Sequence, residues 1–210
     1  MKLILWDWNG TLLDDVDASI IALNILLSRR SMAGIDKPTY KRIFRFPVIE
    51  NYRKLGFNLE VENFDDVARE YVAEYMNSSK DVGLFPSATS VLDYVHAKGY
   101  TQSIISAMPQ SHLIGQIRAQ KVFHYFQDIV GLQNIHATGK IESAKNYIGG
   151  RSLHGDDVFF IGDTFHDYEV AKTLGCKCIL IGSGHQALDC AAIPDAVILS
   201  DISELCSHIL

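Results

Sequence analysis

Residues 1–15, MKLILWDWNGTLLDD, carry the reading that decides the fold. Lys2 to Trp6 is an apolar run that ends in a glycine-containing turn, the pattern of a short buried strand. Asp7 then falls at the carboxyl end of a strand, where open α/β sheets hold their ligand chemistry. A carboxylate there is fixed by a rigid element yet open to a reactant. Asp and Asn before Gly are also ordinary turn residues, so this stretch alone supports a site and a plain turn equally.

Downstream, the chain divides in two. Val16 to Arg30 has roughly helical apolar spacing behind Asp14, Asp15 and Asp17, and acidic residues suit the positive start of a helix. Thr39 to Phe46 reads as a second amphipathic helix. Pro47 opens a third that runs through Tyr52 to Leu55 and closes at Gly56. Asn63 to Met76 supplies a fourth, with Phe64, Val67, Tyr71, Val72 and Tyr75 on one face. No strand pattern interrupts Val16 to Ser79.

After Gly83-Leu84-Phe85-Pro86 the register changes. Helices over Ser87–Lys98, Pro109–Ala119, Ile141–Ile148 and Tyr168–Leu174 alternate with strands over Thr101–Ser106, Asp128–Leu132, Val158–Ile161, Cys176–Ile181 and Ala196–Leu199. Gly99, Gly149-Gly150 and Gly175 stop three of the helices, and a terminal helix follows the last strand. Such alternation predicts an α/β fold with a doubly wound, Rossmann-like parallel sheet. The core spans 1–14 and 84–210, and the all-helical insertion spans 15–83.

A chain of 210 residues that is 48% hydrophobic and 21% charged can bury a sizeable core. Its net charge of −6 argues against a nucleic-acid partner, which would require clustered Lys and Arg. No segment has the length of a membrane span and no secretory pattern opens the chain, so a cytoplasmic protein with no membrane partner is expected. Cys176, Cys178, Cys190 and Cys206 fit no zinc spacing and read as core thiols.

In a parallel sheet every strand delivers its carboxyl end to one edge. The residues just past the strands are then Asp7 and Asn9, Ser106 and Ala107, and Gly162-Asp163-Thr164-Phe165-His166-Asp167, with Lys140 close by. Singly, each has a dull explanation as a cap, a turn or solvated surface. Together they make a set suited to phosphoryl transfer. Magnesium takes hard oxygen ligands, often one or two carboxylates with phosphate and water, and Asp is a known covalent nucleophile. A cation must offset the repulsion between such a carboxylate and an anionic substrate.

Asp7-x-Asn9-Gly10-Thr11-Leu12, Ser106 after an apolar strand, Lys140, and Gly162-Asp163-Thr164-x-x-Asp167 resemble the four motifs of the haloacid dehalogenase superfamily of hydrolases. Phe46-Pro47-Val48 and Tyr52-x-x-Leu55-Gly56-Phe57 are similar to cap segments of its phosphoglycolate-phosphatase-like members. The resemblance implies an α-helical cap at 15–83 and Mg²⁺-dependent hydrolysis of a small phosphorylated metabolite through an aspartyl-phosphate. It implies Asp7 as nucleophile and metal ligand, Asn9 as ligand through its backbone carbonyl, and Asp163 and Asp167 as the remaining metal carboxylates. Thr11, Ser106, Ala107 and Lys140 would bind the phosphoryl group, with Lys145 as the competing lysine. A monomer or weak homodimer is expected.

One departure matters. Phosphatases of this kind carry a second Asp as acid and base where this chain has Asn9. An amide cannot donate and retrieve a proton, and such catalysis contributes on the order of 10²–10⁴-fold. Three readings follow: a phosphatase limited by that loss; a phosphonate-type hydrolase, whose Asp-Trp-Ala-Gly-Thr motif shares Trp8 and which would need a cap lysine (Lys37, Lys41 or Lys54); or a phosphate-ligand-binding or regulatory protein with little turnover. His166 reads as a surface residue at a helix start. Tyr40, Lys41, Arg42 and Arg45 stand open between facing the substrate and lining a solvated helix face.

Overall fold

A computed structural model gives the fold, describing residues 2–149, 151 and 157–209. Six parallel strands form one sheet: β1 (Leu3–Trp6), β2 (Thr101–Pro109), β3 (Asp128–Leu132), β4 (Val158–Gly162), β5 (Lys177–Ile181) and β6 (Ala196–Leu199). Their order is β3-β2-β1-β4-β5-β6. The chain leaves β1 in one direction to build β2 and β3, then in the other to build β4 to β6. That reversal opens a crevice at the carboxyl ends of β1, β2 and β4, the place where doubly wound sheets bind ligands.

Strand β1 is central and sealed on both faces. Ile4 and Trp6 enter one apolar cluster, Leu3 and Leu5 the other, and all four are fully buried. This accounts for the unbroken apolar run, since a central parallel strand has no solvent face to keep polar. Trp8, also fully buried, donates its indole N–H to Gln116 Oε1 at 2.9 Å, which meets the need of a buried polar atom for a partner.

Helices α1 (Val16–Arg29), α2 (Lys37–Ile43), α3 (Ile49–Leu55) and α4 (Phe64–Ser78) follow β1. They bury an apolar cluster of their own, built on Val16, Leu23, Leu26, Tyr40, Tyr52 and Val67. Arg29 and Arg30 tie α1 to Glu70 and Glu74 of α4. The flanking helices are α5 (Ala88–Ala97), α6 (Gln110–Ala119), α7 (Lys140–Ile148) and α8 (Phe165–Leu174).

Several boundaries differ from expectation for local reasons. Helix α2 starts at Lys37, two residues early, because Asp36 caps it and Pro38 suits a first turn. Helix α3 begins at Ile49 rather than Pro47. Strand β2 runs three residues past Ser106, and its pairing with β3 shifts register between Ile105 and Pro109, so Ser106 sits in an irregular stretch of strand. Pro109 precedes α6 instead of lying in its first turn.

Helix α8 starts at Phe165, not Tyr168. Thr164 caps it and Asp167 reciprocates in a capping box, so the supposed loop holds the helix start. Cys176 precedes β5, and the expected terminal helix is a 3₁₀ segment over Ile202–Ser207. Helix α7 gives way at Gly149, while its other expected stop, Gly150, lies outside the described residues. Among the thiols, Cys178 is buried but Cys190 is exposed, which corrects the reading of all four as core. Among the described residues no helix is long and apolar enough to cross a membrane.

Candidate active site

The backbone N–H of Asp7 donates to Ile161 O at 2.8 Å, extending the β1–β4 ladder one step beyond the named strand. Asp7 is thereby fixed at the sheet edge, with its side chain turned into the crevice. Asp163 and Asp167 stand beside it at the end of β4 and the start of α8. One carboxylate oxygen from each of the three lies within 4.8 Å of the others, and all three residues are buried.

Lys140, the first residue of α7, bridges two of them, with Nζ 2.6 Å from Asp7 Oδ1 and 2.6 Å from Asp167 Oδ1. Lys145, one turn further, is exposed and paired with Glu142 at 2.8 Å. The structure thus separates the two lysines between which sequence left a choice. Thr164 donates its backbone N–H and hydroxyl to Asp167 Oδ2 at 2.9 and 2.7 Å, and the backbone N–H of Asp163 adds a third bond at 3.1 Å.

Burial sets the protonation states. It pushes the Asp7 carboxyl up to about 6, with Lys140 holding it down and Asp167 adding to the rise. It pushes Asp163 up to about 8, against the pull of the His185 cation. Burial acts on Asp167 too, but Lys140 and Thr164 outweigh it and hold that carboxyl below its ordinary value. Lys140 is buried as well, and its two carboxylates push its ammonium above the usual lysine range. Lys140 and His185 are two cations among the four carboxylates Asp7, Asp15, Asp163 and Asp167, a surplus of negative charge that a hard dication would offset.

Thr11 is fully buried, and its hydroxyl donates to Asp163 Oδ1 at 3.2 Å. It supports Asp163 and does not line the cavity beside Asp7. Ser106 and Ala107 do line it, and Ser106 Oγ accepts the backbone N–H of Met108 at 3.1 Å. Gly10 has φ +71°, and a Cβ there would collide with Asp163 and His185, so the turn requires glycine twice over.

Beneath these residues lies a second cluster. Asn9 Nδ2 donates to Asp15 Oδ2 at 2.8 Å and to Tyr75 Oη at 2.8 Å, while Tyr75 donates to the same Asp15 oxygen at 2.7 Å. Asp15 Oδ1 accepts the Gly10 N–H at 2.8 Å and lies 3.1 Å from His185 Nε2. The other ring nitrogen of His185 lies 2.8 Å from Tyr40 Oη, on α2. Burial would lower the imidazolium, but Asp15 outweighs it and raises His185 to about 9. Burial likewise opposes the Asp15 carboxylate, and His185, Tyr75 and Asn9 hold it below its ordinary range.

Neither Asp15 nor His185 was among the sequence candidates. Asp15 reads as a first-turn acid of α1, and His185 as one of several scattered histidines. Yet His185 lies just past the carboxyl end of β5, at the same sheet edge as the other site residues. Its backbone N–H donates to Asp163 Oδ2 at 2.5 Å.

Helix α2 closes over this edge. Phe44 stacks on His185 at 5.1 Å between ring centroids, and Phe46 stacks on His166 at 4.7 Å. His166 is therefore not a free surface residue. The backbone of Lys41 accepts the Ala187 N–H at 2.9 Å, and Lys41 Nζ donates to Gly182 O and Ser183 O at 3.0 and 3.3 Å. Arg42 reaches Thr39 Oγ1 at 3.2 Å and Arg45 the Ile43 carbonyl at 3.3 Å, both exposed. Of the four residues left open, Tyr40 lines the cavity and the three cations do not. Lys37, paired with Asp17, and Lys54 do not line it either.

Known proteins resemble this chain in sequence and in fold. Residues 4–181 match the family model described as haloacid dehalogenase-like hydrolase. A phosphoglycolate phosphatase of Pseudomonas fluorescens is 25% identical over 192 residues, which cover 88% of this chain and 70% of that protein. A phosphoglycolate phosphatase of Yersinia pseudotuberculosis is 24% identical over 93% of this chain and 88% of its own length. Among solved structures, a haloacid dehalogenase-like family hydrolase from Streptococcus pneumoniae superposes with a TM-score of 0.75 at 18% identity, covering 99% of this chain and 98% of that one. Mycobacterium tuberculosis Protein Tyrosine Kinase A superposes with a TM-score of 0.83 at 18% identity over 99% and 97% of the two chains, so the fold alone does not name a reaction. With the family model spanning most of the chain, the protein belongs to the haloacid dehalogenase-like hydrolases.

Proposed function

We propose that the protein hydrolyses a small phosphomonoester with Mg²⁺, through an aspartyl-phosphate on Asp7. The observation that carries this is the convergence of Asp7, Asp163 and Asp167 within 4.8 Å, with Lys140 held against two of them. The donor set is hard oxygen with surplus negative charge, which fits magnesium. Asp7, Asp163 and the Asn9 backbone carbonyl would hold the ion, with Asp167 in reach directly or through water. Bound there, magnesium supplies charge compensation for the phosphoryl oxygens.

The chain's own residues supply the rest. Asp7 attacks phosphorus with the carboxylate oxygen not claimed by Lys140, the P–O bond to the alcohol breaks, and the phosphoryl group rests on Asp7. Ser106 and backbone N–H groups after Asp7 hold the equatorial oxygens. Water then attacks phosphorus and releases phosphate, regenerating the Asp7 carboxylate. The alcohol oxygen leaves beside Asn9, which can hydrogen-bond it but cannot protonate it. The leaving group therefore takes its proton from water, and turnover favours leaving groups that need little help. Residues 15–83 act as a cap whose closure excludes bulk water from these steps.

A screen of phosphorylated metabolites with and without magnesium tests the proposal. Metal-dependent phosphate release that Asp7→Asn abolishes is the expected result. Tight binding of such compounds with no release by the wild-type chain would instead favour a binding protein.

A further inference from the structure

We infer that the alcohol released from the phosphomonoester is uncharged, largely apolar and about the size of one ring, received by the aromatic wall that the helical insertion places over Asp7. The inference rests on the phosphatase reading above and narrows its substrate. Tyr40, Phe44, Phe46, Tyr52, Phe64 and Tyr71 all line the cavity that Asp7 opens into. The cavity is about 170 Å³ and is also lined by Asp7, Ser106 and Lys140, so it seats the phosphoryl group together with the alcohol. An apolar cavity of about 150 Å³ holds one benzene ring, so a single ring is the upper limit for the alcohol.

Charge decides what fits there. Among the described residues that line the cavity, Lys140 is the only Lys or Arg, and Asp7 and Asp167 already hold it. The insertion's nearby cations do not line the cavity: Lys41 donates to the carbonyls of Gly182 and Ser183, and Arg42 and Arg45 are exposed. Two histidines also line the wall. His185 is engaged on both ring nitrogens by Tyr40 and Asp15. His112 leaves Nδ1 buried without a partner, a single hydrogen-bonding atom in an apolar surround.

A carboxylate on the alcohol, as in phosphoglycolate, would lose its water among these rings without an arginine or lysine to meet it. It would also approach Asp7, Asp15 and Asp163. Burying an unpaired carboxylate costs far more than the packing it would gain. An uncharged ring or branched chain instead exchanges water for aromatic contact, and one hydroxyl or carbonyl on it has His112 Nδ1 as a partner.

Two primary-alkyl phosphates of matched leaving-group chemistry decide the matter: benzyl phosphate and 2-phosphoglycolate, assayed on the full chain with magnesium. The expected kcat/KM for benzyl phosphate is roughly tenfold or more above that for phosphoglycolate. Ile43→Arg, which brings a cation to the cavity wall, is expected to narrow that ratio. Equal or better turnover of phosphoglycolate by the wild-type chain overturns the inference. Affinities for the non-hydrolysable pair benzylphosphonate and phosphonoacetate, measured by calorimetry, give the same comparison without turnover. If no compound releases phosphate, the phosphatase reading fails on its own, and tighter benzylphosphonate binding still supports the ligand class. Equal or tighter binding of phosphonoacetate overturns it.

Discussion

Asn9 Nδ2 donates to Asp15 Oδ2 at 2.8 Å, so the amide at position 9 and the carboxylate at position 15 are two halves of one arrangement. Because an ionised carboxylate only accepts, this contact fixes which end of the Asn9 amide faces Asp15. Sequence alone makes Asn9 look like the loss of an acid. In the structure, an Asp at position 9 would set two carboxylates at hydrogen-bond distance, and like charges so close cannot both ionise. Asn9→Asp is therefore expected to lower unfolding free energy by about 1–3 kcal/mol, read from urea denaturation. In an Asp15→Asn background the same substitution should cost clearly less. Equal costs in the two backgrounds would show that the residues do not interact.

How much of this was legible follows from which signals are local. Asp7 and Asp163 stand at the ends of apolar runs, and a strand end is readable from four or five residues. The Thr164–Asp167 capping box was equally readable, although it moved the start of α8 three residues earlier than its apolar spacing suggests. Asp15 was not legible as a site residue, because its role depends on a histidine 170 positions away. His185 was within reach of the rule that found Asp163, since it too follows a strand end. Of the aromatic wall, Phe64 and Tyr71 lie on the face read for α4, while the part around α2 and α3 was out of reach for a physical reason. Helices α2 and α3 are seven residues each, too short for periodicity to say which face meets the crevice.

His185 and Asp15 form a buried ion pair, with side chains 6% and 1% exposed. Removing one member strands the other charge away from water. His185→Leu keeps apolar bulk at the position, so its cost reports chiefly the lost charge and hydrogen bonds. The expected destabilisation is about 3–5 kcal/mol, measured by denaturant titration. A loss below 1 kcal/mol would mean that Asp15 is satisfied by Gly10, Asn9 and Tyr75 alone.

The two lysines of α7 make a clean contrast. Lys140 is buried between Asp7 and Asp167, while Lys145 is half-exposed beside Glu142. Lys140→Met is expected to lower kcat by roughly 10²–10³-fold, the scale for losing one group that stabilises developing charge. Lys145→Ala should leave kcat within about twofold, because exposed pairs contribute little. Steady-state assays of both variants on one substrate check this, and a reversed ranking would move the site lysine to position 145.

Thiol chemistry should follow burial. Cys190 is exposed, whereas burial pushes the Cys176 thiol up to about 12 and raises Cys178 further still. The thiolate is the reacting form, so alkylation of the folded protein at mildly alkaline pH should label Cys190 and spare Cys178 until denaturant is added. Peptide mapping by mass spectrometry reads the order. Early labelling of Cys178 would mean that β5 opens readily to solvent.

Metal binding offers a test that does not depend on turnover. Asp7 and Asp163 are both pushed upward by burial and by the neighbouring Asp167 charge, with Lys140 compensating at Asp7 and His185 at Asp163. An ion held between them favours the folded chain over the unfolded one, which lacks the site. At a hundredfold excess over Kd the added stability is about 2.7 kcal/mol, so Tm should climb with magnesium concentration. Asp163→Asn removes one of the carboxylates that would hold the ion and is expected to flatten that climb. The same substitution should raise stability in metal-free buffer, because it removes a buried carboxylate from a crowded site. A magnesium-dependent Tm that Asp163→Asn leaves unchanged would place the ion elsewhere.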